Sequence, residues 1–232
     1  MILGIHQLHY IPWLRYFHKI ALSDTFVVLD DIQFNKNGWQ NRNKIKSSTG
    51  ELILTIPIYN KFQQNLDEVH IDNKSNWRKK HWNTICMNYN KAPYFSKYEG
   101  SLKSLYDREW VMLNDINYTM LHYFLKELQI DTRLLLSSEL NIGETATERL
   151  INICKSLGAD NYLTGAYALD TYLDEKAFSQ NGISMEIQQW NAPTYNQLYQ
   201  KNGFFKDLSI LDLLLNEGEN ARNILLNNTI EK

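Results

Sequence analysis

Two histidines, a glutamine and a tyrosine follow directly on the first apolar run of the chain: His6, Gln7, His9 and Tyr10. A histidine at a strand end, facing the start of the next helix, can bind a phosphate or give a proton to a leaving group. It can equally bridge loop backbone as a structural residue, and the sequence leaves His6 divided between these roles. A second polar group, Asp30, Asp31 and Gln33, closes the apolar run Thr25–Leu29. Neighbouring strand residues point to opposite faces, so one of these carboxylates is expected in a pocket and the other on a loop. Paired carboxylates can do acid–base work, hold Mg2+, or shape a turn.

Cations come next. Trp39, Asn41, Arg42, Lys44 and Lys46 combine one aromatic ring with spaced positive charges. Arg42 can grip phosphate as a fork and Lys44 can add point charge, which suits one diphosphate; the alternative is a solvated basic loop. In Trp77-Arg78-Lys79-Lys80-His81-Trp82 the helical spacing makes Trp77 a core residue and leaves His81 open to binding. Later apolar runs are followed by Ser137, Ser138 and Glu139, then by Thr164, Gly165, Tyr167 and Asp170. Glycine-rich phosphate loops, a GxSxG elbow, an HExxH helix and a CxxC pair are all absent. His6 and His9 have HxxH spacing without further ligands, so no metal site is expected. Cys86 and Cys154 read as buried thiols.

The elements that carry these residues follow from the apolar pattern. Met1–Ile5 and Thr25–Leu29 read as buried strands joined by a helix from Pro12 to about Leu22, a βαβ unit. Asn35–Ser48 reads as a polar, basic loop, and Leu52–Ile58 and Val69–Ile71 as strands of a small antiparallel piece. Asn76–Leu128 is helical, with breaks at Pro93 and near Asp107–Glu109. The strand–helix rhythm then resumes: Arg133–Leu136, a helix over Thr145–Leu157, Asn161–Leu163, a helix over Ala168–Ser179, and Ile183–Ile187. Leu208–Leu215 is expected to be a helix packed on the body. The prediction is an α/β fold with a mainly parallel, Rossmann-like sheet flanked by helices. One domain would span residues 1–232, with a largely helical insertion over roughly 35–128. In such a sheet, ligands bind beyond the carboxyl ends of the strands.

Composition limits the partners. The 232 residues carry a net charge of −2, which gives no global field for an extended nucleic acid. With 10 glycines and 4 prolines the chain is neither linker-rich nor disordered. No run approaches a membrane span and no basic segment precedes the first apolar run, so a soluble cytoplasmic protein is expected. Aromatic residues make up 12% of the chain; most must be core, and some suit stacking on sugar or base faces.

Several motifs in order carry a family resemblance. They are His6-Gln-x-x-Tyr10-x-Pro12-Trp13, Phe17-x-Lys19-Ile20, Leu29-Asp30-Asp31-x-Gln33-Phe34 and Trp39-Gln-Asn-Arg42-Asn43-Lys44-Ile45-Lys46. Lys80-His81-Trp82, Ala92-Pro93-Tyr94-Phe95, Ser137-Ser138-Glu139-Leu140 and Thr147-Glu148-Arg149-Leu150 continue the series, as do Tyr162-Leu163-x-Gly165 and the run from Ser209. Together they resemble the WbqC-like family over nearly the whole chain. Leu8-His9 departs from the Pro-Asn of most members, which favours His6 over His9 as a catalytic residue. The first strand, ending in HxxH before a helix, is also similar to adenylate-forming nucleotidyltransferases of the HIGH type.

The first resemblance implies surface-polysaccharide (O-antigen) synthesis, with glycine or a similar aminoacyl group transferred to a nucleotide-linked amino sugar. The second implies activation by ATP with Mg2+. On this basis His6, Asp30 and Asp31 are the expected catalytic residues. Gln7, Tyr10, Gln33, Asn41, Arg42, Lys44, His81, Ser138, Thr164 and Gly165 are the expected substrate- or phosphate-binding residues. Two rivals stand beside this expectation: a transferase that takes its aminoacyl group from a tRNA or carrier without ATP, and a non-catalytic subunit of the polysaccharide machinery.

Overall fold

The computed structural model describes residues 1–59, 63–143, 146–165 and 173–227. Five short strands form one all-parallel sheet: β1 (Ile2–Gln7), β2 (Thr25–Leu29), β5 (Arg133–Leu136), β6 (Asn161–Thr164) and β7 (Ser184–Ile187), in the order β5-β2-β1-β6-β7. The fold is therefore α/β and Rossmann-like, as the apolar runs predict. β1 runs two residues further than expected, so His6 and Gln7 are its last residues rather than the start of a loop.

Period-two alternation sends the sheet's side chains to two cores. Leu3, Ile5 and Val27 face Leu150, Ile153 and Cys154 of α6 (Ala146–Ser156) and Phe178 of α7 (Glu175–Gln180). Phe26 and Val28 face the other way, with Phe17 and Ile20 of α1 (Leu14–Ala21) and the insertion behind them. Gly4 is where the chain after α1 crosses the sheet most closely. A Cβ there would lie 2.3 Å from Ser23 Oγ and 2.6 Å from Phe26 Cδ2.

The insertion contains a two-stranded antiparallel hairpin, β3 (Arg42–Ser47) and β4 (Gly50–Thr55), then helices α2 (Trp77–Tyr89), α3 (Phe95–Asp107) and α4 (Leu113–Glu127). The helix breaks fall where Pro93 and Asp107–Glu109 put them. The polar stretch Asn35–Ser48 is not all loop. Its second half is β3, because Asn43 and Ile45 turn inward while Arg42 and Lys44 turn outward. Asn43 is tolerated there because its side-chain amide donates to the Tyr10 and Ile11 carbonyls, at 3.1 and 2.7 Å. Val69–Ile71 is no strand; only isolated bridges join Ile58 to Ile71 and His70 to Met112. α8 (Ile210–Glu217) is buried from Ile210 to Asn216, and α9 (Ala221–Leu226) follows it. Of the helix expected over Ala168–Ser179, α7 is the described part and the section up to residue 172 lies outside the described residues. No described helix is long and apolar enough to cross a membrane.

Candidate functional site

Parallel strands end on a common side, which gathers His6 and Gln7, Asp30 and Asp31, Ser137 and Ser138, and Thr164 and Gly165 along one rim of the sheet. The chain builds β2 and β5 on one side of β1, then crosses to place β6 and β7 on the other. The switch point therefore lies between β1 and β6. Pairing of β1 with β2 continues to Gln7↔Leu29, but pairing with β6 stops at Gly4↔Leu163. Among the described residues, β1 is thus left without a strand partner on its β6 side beside Ile5, His6 and Gln7, which is the crevice of the switch point.

One face of α1 lines that crevice. Lys19, only 5% exposed, donates from Nζ to the Ile5 carbonyl at 2.8 Å. Tyr16 Oη donates to the Gln7 carbonyl at 3.0 Å. His6 Nδ1 lies 3.1 Å from the same carbonyl, so Nδ1 carries the proton and Nε2 keeps its lone pair. The His6 ring meets those of His9 and Tyr16 edge-on, at centroid distances of 4.9 Å each. His9 is 4% exposed, and its Nδ1 has no hydrogen-bond partner among the described residues. Beyond β7, Gln188 closes the side of the crevice, donating from Nε2 to the Arg15 carbonyl at 3.0 Å and from its backbone N–H to the Thr164 carbonyl at 2.7 Å.

Electrostatics follow from this burial. Desolvation, with Lys19 second, pushes His6 down to about 3, so its imidazole is neutral at pH 7. His9 is held well below its usual value by burial and then by His6. Burial and then the Arg15 charge bring Lys19 down to about 7.

A second polar centre lies beyond β2 and β5, where the short helix α5 (Ser137–Leu140) begins. β2 ends at Leu29, so Asp30 and Asp31 are past the pleat and both carboxylates turn to Ser137, rather than one inward and one away. Ser137 Oγ lies 3.1 Å from Asp30 Oδ1 and 2.5 Å from Asp31 Oδ1. Asp30 also accepts from the Ser138 backbone N–H at 3.0 Å and from Ser138 Oγ at 2.7 Å. Asp31 is paired with Arg149 of α6. Each carboxylate takes three of these contacts, which leaves one lone pair on each Oδ2 that Mg2+ could use. Among the described residues no three His, Cys, Asp or Glu side chains gather as a metal site.

The other candidate residues lie elsewhere. Gln7 Oε1 accepts from Gln40 Nε2 at 3.3 Å, which ties the rim to the insertion. Tyr10 and His81 meet in the insertion's core: Tyr10 Oη lies 3.0 Å from His81 Nδ1 and 2.7 Å from Tyr106 Oη, and His81 Nε2 lies 3.1 Å from the Thr55 carbonyl. Gln33 is exposed and bridges to Asn65. The buried Asn41 side-chain amide donates to the Ile56 carbonyl. Arg42 donates to the Gly38 and Lys36 carbonyls, bracing its own loop, and Lys44 pairs with Glu51 at 2.7 Å. Thr164 is buried and its hydroxyl turns toward the Gly165 carbonyl at 3.4 Å, while no described residue comes within 4 Å of the Cβ side of Gly165. Tyr167 and Asp170 lie outside the described residues. Two cavities, of about 600 Å³ beside His122 and Leu134 and about 220 Å³ beside Lys46 and Tyr195, lie away from this rim.

Sequence reasoning did not single out Lys19, Tyr16 or Arg149 as site residues. The signal for Lys19 was present: it stands between Tyr16 and Ile20 on the apolar stripe of a helix, where a lysine has no solvent to reach.

The whole-chain pattern now has a counterpart among known proteins. The WbqC-like protein family matches residues 7–224. The chain belongs to this family. A similar curated relative is "Uncharacterized protein Rv1507c" of Mycobacterium tuberculosis, 36% identical over 226 residues and covering 96% of each chain. No solved structure matches. The WbqC-like motifs fall on both halves of the rim: His6 and Lys19 at the crevice, Asp30, Asp31, Ser138 and Arg149 beside it.

Proposed function

We propose that this WbqC-like protein is a cytoplasmic enzyme of surface-polysaccharide synthesis. It joins the carboxyl group of an amino acid such as glycine to the amine of a nucleotide-linked amino sugar. A free carboxylate is a poor acyl donor, so ATP first converts it to an acyl adenylate and releases pyrophosphate. The sugar amine then attacks the acyl carbon, AMP leaves with the bond to the acyl oxygen, and the amine gives up one proton. His6 Nε2, unprotonated and without a partner among the described residues, accepts a hydrogen bond from the attacking amine and orients it, and the proton leaves to solvent. Asp30 and Asp31, fixed by Ser137, Ser138 and Arg149, form one wall of the site, and Thr164 and Gly165 the other. The observation that supports this reading is the neutral His6 imidazole beside a buried lysine at the sheet's switch point.

Incubating the protein with nucleotide-linked amino sugars, glycine and ATP should give a product heavier than the sugar by one glycyl residue. Glycine should also drive exchange of labelled pyrophosphate into ATP. Amide formed from a charged carrier without ATP would move the chain to the carrier-dependent rival. His6→Ala should lower turnover by about 10²-fold with little change in melting temperature. Normal turnover by a destabilised protein would make His6 structural instead.

A further inference from the structure

The described residues include two lysines that are almost fully buried, and their surroundings differ. Lys46 is 1% exposed and donates to Gln197 Oε1 and the Gly203 carbonyl, at 3.1 and 2.7 Å. It also lies in the field of buried Asp212, whose carboxylate accepts from Tyr89 and Tyr195 at 2.8 Å each. That cation is answered by the protein's own anion. Lys19 is not. Its one described hydrogen bond goes to the neutral Ile5 carbonyl, its ring neighbour is Tyr162 at 5.8 Å, and no described carboxylate pairs with it. Of its three N–H groups, two have no described acceptor.

Burying a cation without a counter-charge costs several kcal/mol, so a lysine buried at a ligand crevice keeps its proton only when an anion comes from outside. We infer that Lys19 and Arg15 form the binding site for the diphosphate of a nucleotide at the crevice between β1 and β6. The dimensions favour two phosphoryl groups over one carboxylate. Residues four apart on a helix are neighbours about 5–6 Å apart, so Arg15, exposed, and Lys19, buried, present two cations in file from solvent inward. Gly165, whose Cβ side meets no described residue within 4 Å, would let a phosphate approach the end of β6.

The proposal moves phosphate recognition from the hairpin cations Arg42 and Lys44, which are committed to Gly38, Lys36 and Glu51, to α1. It rests on the reading above only in placing the ligand at this crevice, and it is tested by binding alone, without turnover. The ionisable groups that face Lys19 are Arg15 on α1, His6 on β1 and Tyr162 on β6. An anion bound there should restore the lysine's proton. With Lys19 at about 7 in the free protein, roughly 0.7 proton is taken up per site at pH 7.5.

Titration calorimetry with inorganic pyrophosphate, ADP and UDP-glucose, each in two buffers of different ionisation enthalpy, reads both affinity and that proton. Lys19→Met should weaken binding at least tenfold and abolish the uptake. Lys19→Arg should keep affinity within a few-fold yet lose the uptake, since a guanidinium is always charged. Arg15→Ala should weaken binding several-fold and reduce the uptake without abolishing it, because without the Arg15 charge Lys19 keeps more of its proton in the free protein. Preference for ADP or for UDP-glucose tells whether the diphosphate belongs to ATP or to the nucleotide sugar. Failure of all three probes to bind, or proton uptake that survives in Lys19→Arg, overturns the proposal. Failure of amide formation alone leaves it standing.

Discussion

Arg149 Nη2 lies 2.8 Å from one carboxylate oxygen of Asp31 and 2.6 Å from the other. A single nitrogen of α6 thereby holds the turn after β2, and so fixes the face that Ser137 and Asp30 share. Both side chains are mostly buried, at 13% and 23% exposure, so removing one partner should cost more than a surface pair does, about 1–3 kcal/mol. Urea unfolding of Arg149→Met, Asp31→Asn and the double variant should show a coupling of about 1 kcal/mol or more. Additive losses would mean the contact contributes nothing to stability.

Acid should destabilise the protein through its buried imidazoles. Burial pushes His6 down to about 3 and His81 down to about 4. Between pH 6.5 and those values the unfolded chain binds protons that the folded chain refuses. Stability is therefore full above pH 6.5 and falls with pH, by up to about 1.4 kcal/mol per pH unit for each histidine. Unfolding at pH 7, 6 and 5 should show this slope, and His81→Gln should remove one histidine's share. An unchanged slope in that variant would contradict the assignment.

Tyr10→Phe removes the hydroxyl that links His81 to Tyr106. The partners stay buried without it, at a cost of about 1–3 kcal/mol, while nucleotide binding at the α1 crevice should be unaffected. Thermal unfolding and pyrophosphate affinity, measured on one preparation, test both halves. A loss of affinity in a stable variant would bring Tyr10 back into the site.

Gly4→Ala should be among the most damaging small substitutions. Its methyl group meets Ser23 Oγ and the Phe26 ring well inside contact distance. Overpacking of this kind costs about 1–3 kcal/mol, a fall in melting temperature of roughly 2–12 °C for a chain of this size. Adding Ser23→Ala should recover only part of it, because Phe26 remains. No fall in melting temperature would show that the α1–β2 connection can yield.

The legible part of the fold was the part made of uninterrupted apolar runs. Thr25–Leu29 carries its own signal, because a strand buried on both faces needs no alternation, and Arg133–Leu136 shows as an apolar run although it is only half-buried at the sheet edge. β3 was hidden because its inward residue Asn43 is satisfied by carbonyls more than thirty positions away, a partnership no local pattern records. The same holds for Tyr10 and His81, whose types suggest a site and whose contacts are with each other. The rim itself was foreseeable, since each of its residues ends or follows a strand. The convergence of Asp30 and Asp31 was not, because it depends on β2 ending at Leu29.

Leu3 of the central strand β1 pairs on one side with Thr25 and on the other with Tyr162. The first contact closes a short loop and the second a very long one, so the two sides of β1 differ in their demand on chain entropy. The β1–α1–β2 unit can assemble while most of the chain is still being synthesised, leaving the opposite edge of β1 unpaired. The crevice beside Lys19 gains its second wall only when β6 arrives. A nascent chain therefore carries one wall of the crevice long before the other is in place, and an exposed sheet edge for the same interval.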